Sequence, residues 1–212
     1  MNKKKIIIAS LVLLLVFAVG GAIAYFTDSE SKTNTFTIGN VDISLTEANW
    51  SLTDANNNNV PDAAENVVPG QSIPKDPVIK NESTTNPAYV FAKVEVPCTT
   101  GSTPVEIFSY TPVNAAWTEL TSASNPTLPV ACTSGGTATH VYYYSTGGTL
   151  SSLAANTSAP ALFTSITVSS QVTGATSEGL TGNKNVVVTG YGIQTQGLAS
   201  TTPVDVWGNF NS

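Results

Sequence analysis

Beyond an apolar block near its start, the chain alternates apolar and polar positions with a period of two, and helical periodicity is absent. Val90, Ala92, Val94 and Val96 form one face of a strand, with Tyr89, Phe91, Lys93 and Glu95 on the other. Phe36 and Ile38 share a face, and Val41, Ile43 and Leu45 continue in the opposite phase. The one-residue slip at Gly39-Asn40 reads as a β-bulge. Further strands are predicted at His140–Tyr144, ahead of a Gly147-Gly148 turn, and at Ser165–Ser170 and Asn185–Thr195, with shorter ones at Val78-Ile79 and around Ile107-Phe108-Tyr110. Punctuating pairs such as Pro69-Gly70, Asn86-Pro87 and Gly135-Gly136 separate them. Roughly eight short strands with uneven loops predict an all-β fold, an antiparallel jelly-roll-like β-sandwich. Helix should be minor beyond an N-terminal signal helix. Thr202 and Pro203 read as the N-cap and first turn of a short helix through Trp207. The Thr/Ser-rich stretch from Ser122 to Thr139 reads as a long loop within one domain.

The block at the start has its own logic. Lys3, Lys4 and Lys5 precede an apolar run from Ile6 to Ile23, and Ala22-Ile23-Ala24 leads into polar sequence. A basic stretch, an apolar stretch and a small-x-small site form a secretory signal cut between Ala24 and Tyr25. The alternative is an uncleaved anchor, because an apolar run of ~18 residues just spans a bilayer. No basic residues follow the run to stop its transfer. The expectation is an exported protein that meets the membrane only through this segment, before cleavage.

Composition narrows the classes. The chain has 212 residues with a net charge of -6, and only 10% are charged. Its eight basic residues are all lysine. Without arginine there is no bidentate grip on phosphate, and scattered lysines build no cationic groove, so nucleic acid is not an expected partner. A surface of Thr, Ser, Asn and Gly repels itself weakly and favours extended extracellular assemblies.

Three sets of residues could carry site chemistry. Asp54, Asn56, Asn58, Asp62 and Glu65 fall at positions 1, 3, 5, 9 and 12 of a twelve-residue loop, and the Val60 carbonyl falls at position 7. That spacing suits calcium, although Asn59 stands where such loops want glycine. The other reading is an Asn-rich polar turn, and helices flanking the loop are not predicted. Cys98 and Cys132 each end an apolar strand-like run in a chain expected in an oxidising compartment, so a disulfide is expected; two separate buried thiols are the alternative. His140 is the sole histidine, so a two-histidine zinc site cannot be built, and its alternation with Tyr142 and Tyr144 reads as structural. No catalytic residue or cofactor-binding motif is identified, and calcium is the one cofactor suggested.

Two blocks of sequence then point to a family. Ala22-Ile23-Ala24-Tyr25-Phe26-Thr27-Asp28 with Asn34–Leu45, and Val68–Asn81 with its Pro-Gly turn and Lys75-Asp76 pair, resemble the TasA/camelysin family of secreted bacterial biofilm matrix proteins. Tyr89–Val96, Tyr191–Gln194 and Val204–Trp207 are similar to it as well, whereas Thr99–Thr139 is not recognisable. The resemblance implies a signal peptide at 1–24 removed by a SipW-type signal peptidase, an extended donor-strand segment at 25–35 and one sandwich domain at 36–212. It also implies a head-to-tail homopolymer, in which 25–35 of one subunit completes the sheet of the next, in the extracellular matrix or at the cell surface. Other functions considered are a camelysin-type metallopeptidase, which lacks a His-Glu-x-x-His helix here, and a monomeric glycan-binding module using Tyr142–Tyr144 or Trp117 as exposed platforms.

Overall fold

The computed structural model describes residues 41–50, 54–55, 57, 61–110, 113–123, 127–172 and 184–210. Within the compact unit Gly39–Ser212, the described residues carry strands β1 (Ile43–Glu47), β2 (Ser72–Pro74), β3 (Pro77–Asn81), β4 (Ala88–Pro97), β5 (Phe108–Ser109) and β6 (Trp117–Glu119). The series continues with β7 (Thr137–Thr146), β8 (Thr149–Leu150), β9 (Ser152–Leu153), β10 (Thr157–Ser158), β11 (Ser165–Val168) and β12 (Val187–Gln194). A helix, α1 (Pro203–Gly208), follows them. The expected signal segment, its cleavage site at Ala24 and Tyr25, the 25–35 segment and the Gly39-Asn40 slip lie outside the described residues.

The fold is an all-β antiparallel sandwich. Its main sheet runs in the order β12-β4-β7-β6, and two smaller sheets run β1-β3-β10 and β2-β11-β5. Strand pairing fixes which side chains meet. In β4, Ala88, Val90, Ala92, Val94 and Val96 are all essentially unexposed and face the inner core. They pack there with Ile79 of β3, Ile73 of β2, Ile166 and Val168 of β11, and the loop residues Leu162 and Phe163. Burying each of the Val, Ile, Leu and Phe side chains among them contributes on the order of 2 kcal/mol, so this alternating face is a principal source of stability.

Part of the opposite face of the main sheet is also buried, which the alternation did not disclose. Phe91, Val141 and Tyr143 form a second core with Leu120, Leu128, Val206 and Trp207. The cover is α1. Thr202 caps it by accepting from the Asp205 N–H, Pro203 sits in the first turn, and Trp207 lies 5.6 Å from the Phe91 ring and 4.9 Å from Tyr191. The sequence marked this helix but not what it covers.

Two expectations are corrected. The roughly eight short strands are twelve among the described residues, with two-residue fragments beside two ten-residue strands, β4 and β7. The Ser122–Thr139 stretch is not a plain loop, since Ser122 bridges to Leu128, Val130 bridges to Thr139, and Thr137–Thr139 already belong to β7.

Candidate functional site

One side of the sandwich carries two strand edges. β12 pairs with β4 on one side only, and β1 pairs with β3 on one side only; no other described strand pairs with either. They meet through side chains. Gly190 and Gly192 turn toward the inner layer, opposite Ala92 and Val90, and leave room for Val41, Ile43 and Ile79. A Cβ on Gly192 would stand 2.7 Å from Ile43 Cγ2 and 3.1 Å from Val41 Cγ1. Larger residues here would push β1 off the edge of the main sheet. The eight residues of β12 include no charge and no proline, two devices that commonly keep an edge strand from pairing with another chain.

The far end of β1 is held by the Lys75-Asp76 pair. Lys75, 5% exposed, makes a 2.7 Å ion pair with Glu47 and lies 4.7 Å from the Trp50 ring. The Asp76 carboxylate accepts from the Asn49 backbone N–H and side-chain amide, both at 2.8 Å. These two residues close the turn after β1 onto the segment between β2 and β3, fixing where β1 lies.

At the opposite edge of the main sheet β6 pairs with β7 on one side only, and a polar cluster lies beside it. His140 on β7 is hydrogen-bonded through Nδ1 to Glu119 of β6 at 2.7 Å and through Nε2 to Glu106 at 2.9 Å. Tyr110 stands edge-on to the His140 ring, and its hydroxyl is 3.1 Å from that of Tyr142. Burial, then the neighbouring Glu119 and Glu106 charges, push the Tyr142 phenol up to about 12, its hydrogen bond with Tyr110 acting the other way. Burial likewise raises Tyr110. Beside this cluster Cys98 and Cys132 are joined by a disulfide, and Cys98 bridges to Glu106. Sequence reasoning gave His140 a structural role but missed its partners, because Glu106 and Glu119 are far from it along the chain.

The remaining sequence-derived sites are placed unevenly. In the proposed calcium loop, Asn56, Asn58, Asn59 and Val60 lie outside the described residues. Asp62 opens a short 3-10 turn over Asp62–Ala64, and its carboxylate accepts the Ala55 N–H at 3.0 Å, folding the loop back toward Asp54. Asn57 takes the left-handed conformation at φ 58. The aromatics offered as glycan platforms are core residues. Trp117 is 5% exposed, with its indole N–H donating to the Pro160 carbonyl, and Tyr142 and Tyr143 are buried. Only Tyr144 of that set is half-buried, and it packs against Trp117. That expectation is therefore corrected: the inner core takes Trp117 and Tyr142, and the second core beneath α1 takes Tyr143.

Comparison with protein-family models matches residues 2–100 to the camelysin metallo-endopeptidase family. Over that stretch, a little under half of the chain, the sequence is similar to the camelysin family. Comparisons with curated proteins and with solved structures return no match. The camelysin match ends at residue 100, where the recognisable sequence blocks also thin out. The family description implies a catalytic metal, and the described donor set does not fit one. The chain holds a single histidine, both ring nitrogens of which are committed to carboxylates. Among the described residues no group of three His, Cys, Asp or Glu side chains converges on a metal position.

Proposed function

We propose that this chain, whose residues 2–100 are similar to the camelysin family, is a structural subunit that assembles outside the cell into matrix fibres by strand addition. The observation that carries the reading is the uncharged eight-residue edge of β12, with the β1 edge beside it. An incoming extended segment gains main-chain hydrogen bonds along such an edge, and its alternate side chains set the register. The donor in this proposal is Tyr25–Thr35 of a neighbouring copy, freed when a SipW-type signal peptidase cuts between Ala24 and Tyr25. That contact is head-to-tail and does not close, so it propagates as a filament. Before cleavage the signal segment holds the donor at the membrane. The Asp54–Glu65 loop is proposed as a weak calcium site near the start of β2. In the experiment that tests the assembly, an excess of a synthetic Tyr25–Thr35 peptide should stop fibre extension by occupying the acceptor edge. Unchanged extension at saturating peptide would reject strand donation.

The family description favours a second reading, a metal-dependent peptidase. Cleavage of a protein substrate by the purified chain, abolished by chelator, would establish it. The proposal here is that no such activity is found, because the single histidine is already tied to two carboxylates.

A further inference from the structure

We infer that Glu106, His140 and Glu119 form a pH-released clasp, closed while His140 is protonated, that ties the segment ahead of β5 to the β6-β7 edge of the main sheet. The geometry requires it. Each ring nitrogen faces a carboxylate oxygen within 3 Å, at 2.7 Å for Glu119 and 2.9 Å for Glu106. A carboxylate only accepts, and only the imidazolium carries an N–H on both nitrogens. A neutral ring satisfies one carboxylate and turns a lone pair on the other.

The two carboxylates are not equally held. Glu119 lies in β6, paired with Tyr142 of β7. Glu106 lies outside the named strands, anchored by a single bridge to Cys98. Glu106 also lines an open surface cavity of about 370 Å³ with Pro104, Phe108 and Cys132, which gives its side chain room to leave. Loss of the His140 proton therefore releases Glu106 first.

The other groups around the ring do not compete. Tyr110 stands edge-on to it and Tyr142 is hydrogen-bonded to Tyr110, both with phenols raised above the ordinary range. Val94, opposite His140 on β4, is apolar, and the neighbouring Lys93 and Glu95 of β4 project from the other face and pair with each other at 3.1 Å. Burial is the largest influence on His140 and works against its charge, but the hydrogen bonds and charges of Glu106 and Glu119 together outweigh it, so its pKa is raised. A histidine whose folded pKa is raised stabilises fully below the unfolded value of about 6.5. That contribution is lost as pH rises through the folded value, where the folded chain still holds a proton that the unfolded chain has released.

A single histidine makes the test direct, because the ring gives one set of imidazole resonances. In the mature full-length chain their titration midpoint should lie above about 6.5, and Glu106→Gln should move it down. Amide exchange over residues 99–107 should quicken above that midpoint while exchange in β4 stays slow. The denaturation midpoint should fall across the same window in the native chain and not in His140→Gln. A ring midpoint at or below about 6.5, or the same fall in His140→Gln, would overturn the clasp. Neither result bears on fibre formation, which is read separately.

Discussion

Asn81 is the clearest case of one side chain ordering several elements. It ends β3, is fully buried, and donates through Nδ2 to the carbonyls of Asn86, Leu153 and Ala154 while its Oδ1 accepts from the Ser83 N–H. One amide thus joins the β3–β4 turn to the turn after β9. Asn81→Ala removes four hydrogen bonds at once, and at ~1 kcal/mol each the expected loss is about 3–4 kcal/mol by chemical denaturation. Asn81→Asp keeps the shape but cannot donate, and its carboxylate would face three carbonyl oxygens, so it should lose at least as much at neutral pH. Sequence reasoning saw this asparagine only as the end of a family block. The Lys75-Asp76 pair was likewise visible as two letters, while its partners Glu47, Asn49 and Trp50 lie on a turn whose return path has no local signal.

At the scale of elements, period-two alternation located β1, β3, β4, β7, β11 and β12 to within a few residues, because a half-buried strand writes its buried face into the sequence. It did not reveal that the second face of β4 is buried at Phe91, since Phe91 shares that face with the partly exposed Lys93 and Glu95. The cover comes from α1, and a six-residue helix leaves little trace of what it packs on. The glycines of β12 are similarly silent: in sequence they weaken a strand, whereas here they admit β1. Gly192→Val should force β1 away from β12 and cost about 1–3 kcal/mol, read as a lower denaturation midpoint. An unchanged midpoint would mean that Val41 and Ile43 do not pack there. For the Asp54–Glu65 loop, titration calorimetry should give weak calcium binding that Asp54→Ala and Glu65→Ala abolish; no heat at millimolar calcium would leave it a polar turn closed by the Asp62–Ala55 hydrogen bond.

Over the whole molecule, the two sides of the sandwich differ. On the β6 side the sheets are joined by the His140 clasp, the Tyr110–Tyr142 pair and the neighbouring Cys98–Cys132 disulfide. On the β12 side the edges of β1 and β12 lie together with no further described strand on either. β6 is an edge strand too, but it is three residues long and carries Glu119, whereas β12 offers eight uncharged residues, the longer template for the strand addition proposed above. The most direct test is electron microscopy of the purified mature chain beside a chain lacking Tyr25–Thr35. The intact chain should form long filaments, and the shortened one should remain a folded monomer with unchanged circular dichroism. Normal filaments from the shortened chain, or none from the intact chain at any calcium concentration or pH, would contradict the account.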